Sequence, residues 1–194
     1  TMSKGWSPSG LLAREGDGLY GLSGVSVRTR MAGETLGLEA SGEHLQVFYY
    51  RQPDGGSMTL SIGGTEGDTI QTAGETGAGY YERLVAPGTH SFELRADGKG
   101  EVRLFGWVTE NSRGVTWETL GINGAQADLL LGWNETLINE HIGHRDPALI
   151  VLAYGTNEAR RTDWSYETYK AVFRRVLARL RAAAPAASLL VVGP

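Results

Sequence analysis

Between residues 44 and 110 apolar and polar side chains alternate in short runs, broken about every ten residues by glycine or aspartate turns. "SMTLSIGG" (57–64) is the clearest case: Met58, Leu60 and Ile62 point one way, and Ser57, Thr59 and Ser61 the other. A period of two fits a strand with one buried face and fits no helix. "HLQVFYYRQ" (44–52), "GYYERLVA" (79–86), "HSFELRAD" (90–97) and "EVRLFGWVTE" (101–110) follow the same rule, with "PDGGS" (53–57) and "DGKG" (97–100) as turns. "LYGLSGVSVRTR" (19–30) and "ETLGLEAS" (34–41) add two further runs. About seven short strands at this spacing predict an all-β sandwich. Of the 28 glycines, 21 lie before residue 111, as turn-rich β structure requires.

The rhythm changes near residue 113. "GVTWETLGI" (114–122) reads as a strand, and residues 125–142 place Ala127, Leu130, Leu131, Leu137, Ile138 and Ile142 on a helical stripe. "PALIVLAYGT" (147–156) is an unbroken apolar run of the kind found in buried parallel strands. Residues 165–185 form an amphipathic helix with Ser165 or Asp163 as its cap and Pro185 as its stop. "SLLVVG" (188–193) gives another buried strand. The alternation of strands and helices implies a parallel sheet with right-handed crossovers. The expected organisation is a β-sandwich over 1–112 and a partial α/β domain over 113–194. Three strands leave a face and an edge uncovered, so the chain reads as part of a longer polypeptide.

In open parallel sheets, ligands bind beyond the carboxyl ends of the strands. Two loops fall there: Gly121-Ile122-Asn123-Gly124 with its continuation to Gln126, and Gly155-Thr156-Asn157-Glu158. Each offers small residues and an asparagine, and a helix start after Gly124 offers free N–H groups to an anion. The same residues also suit plain turns, because Asn and Gly tolerate φ > 0. Neither G-x-x-x-x-G-K-[ST] nor G-x-G-x-x-G occurs at either loop, which weakens a phosphate-loop reading.

Other chemistries find little support. The net charge of −4, with both signs mixed along the chain, argues against a nucleic-acid groove. The absence of cysteine excludes disulfides and thiolate metal sites. His44, His90, His141 and His144 form no metal-binding spacing, and His141 suits the helix C-terminal dipole. No metal and no cofactor is expected. No apolar run reaches the ~18–20 residues of a transmembrane helix. Glu39, Glu43, Glu66 and Asp68 read as solvated loop charges.

"GINGA" (121–125), followed by an apolar strand ending in "YGTNEA" (154–159), resembles the SGNH hydrolases, or GDSL-type esterases. The resemblance covers residues 113–194. It implies a flavodoxin-like α/β/α fold, with Gly124 matching the oxyanion-hole glycine of the second motif block and Asn157 the oxyanion-hole asparagine of the third. Asn123 and Glu158 are then candidates for the substrate side of the site, the other readings being that Asn123 simply closes the turn and that Glu158 forms a structural ion pair. A β-sandwich ahead of the glycine block is similar to the branch of bacterial peptidoglycan O-acetylesterases, which carry an inserted module like a carbohydrate-binding module. That branch implies an acetylated glycan or other small ester as substrate and a periplasmic or secreted location. Two family blocks are not written here. "EGDGLYG" (15–21) imitates the serine block, but Gly18 stands where the nucleophile belongs, and no D-x-x-H occurs. The resemblance therefore implies that the catalytic Ser, Asp and His belong to the missing remainder of the catalytic domain. Two other readings are a non-catalytic glycan-binding module on an α/β scaffold, with Trp107, Tyr49, Tyr50, Tyr80 or Tyr81 stacking on sugar, and a flavodoxin-like nucleotide binder.

Overall fold

A computed structural model describes residues 1–12 and 16–193. They divide into two compact units: Thr1–Ser9 with Val25–Thr119, and Gly10–Gly24 with Leu120–Pro194.

The first unit is a sandwich of two antiparallel sheets. Its strands are β1 (Ser7–Gly10), β2 (Val25–Thr29), β3 (Thr35–Ser41), β4 (His44–Arg51), β5 (Ser57–Ile62), β6 (Thr65–Gln71), β7 (Gly77–Leu84), β8 (Thr89–Ala96) and β9 (Val102–Glu110). One sheet runs β1-β2-β9-β4-β7 and the other β3-β8-β5-β6. Alternation decides what lies between them. Phe92, Leu94 and Ala96 of β8 enter the core with Met58 and Leu60 of β5, while Glu93 and Arg95 stay outside. Leu45, Val47 and Tyr49 of β4 and Val102 and Leu104 of β9 close the core from the other sheet. The β4–β9 register slips between Phe48 and Tyr49, which leaves Phe105 as the extra residue of a bulge.

Two differences from the sequence expectation have clear causes. β6, "TEGDTIQ", buries only Ile70 among its residues, so its polar outer positions hide the strand signal. Glu66 and Asp68 thus belong to an edge strand and not to loops. Glu66 pairs with Arg95 at 2.7 Å, and Asp68 pairs with Arg83 at 2.7 Å and accepts from the Tyr81 hydroxyl. In the 19–30 run only Val25–Thr29 is a strand, and the residues before it belong to the other unit.

The second unit has two parallel strands, β10 (Leu149–Ala153) and β11 (Ser188–Val192), paired from Leu149↔Ser188 to Ala153↔Val192. Its helices are α1 (Glu135–Arg145) and α2 (Tyr166–Ala183). Ser165 caps α2 by accepting from the Thr168 N–H at 3.1 Å. Val176 and Leu180 of α2 are buried with Ile138 and Ile142 of α1 and Leu152 of β10. Tyr20, Leu11 and Leu22 join that same core, and the Trp133 indole donates to the Gly21 carbonyl at 3.0 Å. Gly18 lies at φ +77, and a Cβ there would sit 3.1 Å from the Asn134 nitrogen and 3.2 Å from the Gly132 carbonyl. Close backbone packing therefore accounts for the glycine in the imitation serine block; Glu15 of that stretch is outside the described residues.

Two expectations fail in this unit. Residues 114–122 form no strand: Val115 is 96% exposed and Trp117 71% exposed. Strand propensity is realised only where a neighbour accepts the ladder, and among the described residues the parallel sheet holds β10 and β11 alone. The stripe over 125–142 is not one helix. A short 3₁₀ helix (Ala127–Gly132) ends at Trp133, and Asn134 starts α1 by accepting the Leu137 N–H at 3.0 Å. A capping asparagine makes a fresh helix start stable within an apolar pattern that looks continuous.

His141 on α1 is fully buried, and burial pushes its imidazole down to about 4, with His144 adding to the effect. It is therefore neutral at pH 7, unlike the charged partner of the helix dipole expected from sequence. The unfolded chain binds this proton near pH 6.5, before the folded one does. Stability should hold above pH 6.5 and fall as the pH drops from 6.5 to about 4, by roughly 3 kcal/mol at most. Urea unfolding of wild type and His141→Phe across this range checks it; equal pH slopes would show that His141 is not the source.

Candidate functional site

The two glycine–asparagine loops meet in the second unit. Residues 122–125 close a turn, with the Ala125 N–H donating to the Ile122 carbonyl at 3.0 Å. Gly124, at φ +78, takes the third position of this turn, while Asn123 keeps a negative φ and lies exposed. That is the type II pattern, in which the third residue must be Gly or Asn. A Cβ at Gly124 would meet nothing within 4 Å, so conformation and not crowding selects glycine.

β10 delivers the second loop, which leads into a single 3₁₀ turn (Glu158–Arg160) with Asn157 ahead of it. The Asn157 side-chain amide donates to the Ala125 carbonyl at 2.8 Å. In return, the Gln126 amide donates to the Asn157 carbonyl at 3.1 Å. Asn157 thus holds the residue that follows Gly124. An amide nitrogen has two hydrogens, and Ala125 takes one of them. Neither the other hydrogen nor the Gly124 N–H has a protein acceptor among the described residues.

Glu158 is buried at 7% exposure. One carboxylate oxygen accepts the Ala127 N–H at 2.6 Å and the other the Gly155 N–H at 2.9 Å. The free N–H expected at the helix start after Gly124 is therefore engaged, and by a carboxylate 31 residues away. Buried carboxylates persist where hydrogen bonds replace water, as these two do. Burial, reinforced by Glu158, pushes the Tyr154 and Tyr169 hydroxyls up, so both tyrosines stay neutral donors.

Arg161 was not singled out by sequence. It donates to the Gln126 amide oxygen at 3.0 Å, to Asp128 at 3.3 Å and to Asp163 at 2.6 Å, and its guanidinium lies 4.3 Å from the centre of the Trp164 ring. Its hydrogen bonds hold the Asp163 carboxyl below the usual range. Arg161 orients Gln126, which in turn grips Asn157. Charge balance across "RTD" (161–163) was the available sequence signal, but its link to Gln126 spans 35 residues. Among the described residues no group of three His, Asp or Glu side chains could hold a metal ion.

The two small loops are stitched together here, and each keeps one N–H donor without a protein acceptor among the described residues. No protein-family model matches the sequence, and no curated protein matches it. Solved structures do. The chain is similar to a peptidoglycan O-acetylesterase at TM-score 0.57 and 18% identity, over 98% of this chain and 52% of that one. The fold is shared with that esterase. This chain spans about half of the esterase's length. Weaker likenesses include a family two carbohydrate esterase from Clostridium thermocellum in complex with cellohexaose (TM-score 0.40, 11% identity, 98% of this chain and 78% of that one). Another is a family 35 carbohydrate binding module from an environmental isolate (TM-score 0.42, 15% identity, 57% of this chain and 89% of that one).

Of the aromatic side chains named as sugar platforms, only Tyr49 is buried; Tyr50, Tyr80, Tyr81 and Trp107 are half-buried. Tyr49 lies in the sandwich core, and Trp107 and Tyr81 pack against it. Tyr80 meets Phe48 edge-on at 5.0 Å, and Tyr50 meets Phe105 at 6.1 Å. No helix among the described residues is long and apolar enough to cross a membrane.

Proposed function

We propose that this chain is part of a serine esterase that removes acetyl groups from a carbohydrate, cell-wall peptidoglycan or a related glycan. The observation that carries the reading is the Asn157 amide. It is anchored on the Ala125 carbonyl beside Gly124, with one hydrogen left to donate. In this reading a serine hydroxyl, deprotonated by histidine, attacks the ester carbonyl. Charge collects on the carbonyl oxygen, where the Gly124 N–H and the second Asn157 hydrogen stabilise it. The alcohol of the glycan leaves, and water releases acetate from the acyl-enzyme by the same route. An amide suits the position of Asn157, because it donates without titrating. Asn123, exposed on the turn, borders the substrate. The sandwich unit, Thr1–Ser9 with Val25–Thr119, acts as a carbohydrate-binding-module-like insert, and Gly10–Gly24 with Leu120–Pro194 as the partial hydrolase domain.

A glycan-binding module without catalysis is the competing reading. It leaves the stitched pair of loops without a purpose, and Tyr49, one of the candidate platforms, is buried in the sandwich core. The serine and histidine are supplied by sequence outside these 194 residues, since neither G-D-S nor D-x-x-H occurs within them. The 194-residue chain should therefore release no acetate from 4-nitrophenyl acetate, while the protein that includes both blocks does. Turnover by the bare chain would contradict the assignment of a nucleophile elsewhere.

A further inference from the structure

We infer that Glu158 is a positioning residue that sets the separation of the two oxyanion donors. The inference rests on the esterase reading for its functional meaning, though not for its geometry. Ala127, which donates to one oxygen of Glu158, lies three residues beyond Gly124. Gly155, which donates to the other, lies two residues before Asn157. A single rigid carboxylate therefore spans the gap between the loops, with one backbone N–H from each. The Asn157–Ala125 and Gln126–Asn157 bonds lie along the same seam. Those two alone leave the seam held by amide side chains that can swing about their terminal torsions. The buried carboxylate fixes the backbone beneath them, on both sides at once.

The side chain has little other work. Among the described residues it makes no ion pair, and both of its oxygens are spent on backbone N–H groups. An apolar side chain here would leave the Ala127 and Gly155 N–H groups without an acceptor, so the position calls for an acceptor on each side of the seam. A carboxylate is suited to one task here that an amide cannot perform: two acceptors facing two donors. Glutamine has the same shape but turns one acceptor into an NH₂ group, which would face a backbone N–H. One loop must then retreat from the other. An ångström of misplacement at a reacting centre costs on the order of 10²-fold in rate.

The test uses the intact protein and Glu158→Gln, with kinetics on an acetyl ester and ¹⁵N–¹H spectra that include the Asn157 side-chain amide. The expected result is a kcat about 10–100-fold lower with KM within about threefold. The Gly124, Ala127 and Asn157 amide signals should shift together. A structural role alone would lower the melting temperature without this split or these shifts. If the glutamine variant does not fold, Glu158→Asp, with both acceptors on a shorter stem, should show the same pattern more weakly. Folded variants with unmoved Gly124 and Asn157 signals and kcat within threefold of wild type would overturn the inference. If the wild-type protein releases no acetate, the esterase reading fails by itself, and the coupled shifts still decide whether Glu158 positions the loops.

Discussion

On the esterase reading, Asn157→Ala in the intact protein should lower kcat on an acetyl ester by about 10²–10³-fold, the usual result of deleting one oxyanion donor. KM should change little, because the bond forms with charge that exists only in the transition state. Two losses combine in this variant. The donor itself disappears, and so does the 2.8 Å bond to the Ala125 carbonyl that steadies the turn around Gly124. Asn157→Asp loses both as well. Its shape is nearly unchanged, but it presents lone pairs to the Ala125 carbonyl and a negative charge to the developing oxyanion. It should be as damaging as alanine or worse. A change in kcat below about threefold for either variant would remove Asn157 from the site.

Phe92→Ala should cost the sandwich about 3–5 kcal/mol, within the range for deleting a buried aromatic ring from a core. Phe92 is 1% exposed and belongs to one buried cluster with Leu94, Leu60 and residues of β4 and β9 in the other sheet. The ring is central to both sheets, so the cavity cannot close by a small shift of one strand. Glu93→Ala, one residue along β8 and on its outer face, should stay within about 0.5 kcal/mol of wild type. Urea unfolding of the two variants measures the contrast. A Phe92→Ala loss below about 1 kcal/mol would mean that the sandwich core is not packed as described.

The β-sandwich was legible because its signal is local. Alternation is cleanest in β8, where Phe92, Leu94 and Ala96 are buried and Ser91, Glu93 and Arg95 exposed, while β4 and β9 are buried on both faces over 45–49 and 102–105 and were read from their apolar and aromatic runs between turns. α2, β10 and β11 were legible as elements for the same reason, but the expected burial of the strands is not met: Leu149 of β10 and Leu190, Val191 and Val192 of β11 are exposed. What escaped was non-local. "GVTWETLGI" has the composition of a strand, and lacks only a partner. Leu11, Tyr20 and Leu22 serve a core whose other members begin at Leu130, more than a hundred residues later. No periodicity within residues 10–24 points there. At the candidate site, the glycine and asparagine residue types were readable as loop chemistry. The 31-residue reach of Glu158 to the Ala127 N–H and the grip of Arg161 on Gln126 were not, because a clamp has no signature at either end. Sequence offered Glu158 either as a structural ion-pair partner or as a border of the site; its carboxylate lies on two backbone N–H groups.

The most direct measurement is acetate release from O-acetylated peptidoglycan by the intact protein, followed at pH 7 beside its Asn157→Ala variant. The expected result is steady release by the wild type and release about 10²–10³-fold slower by the variant. No release by a folded wild-type protein, from peptidoglycan or from any other acetylated glycan, would contradict the esterase reading.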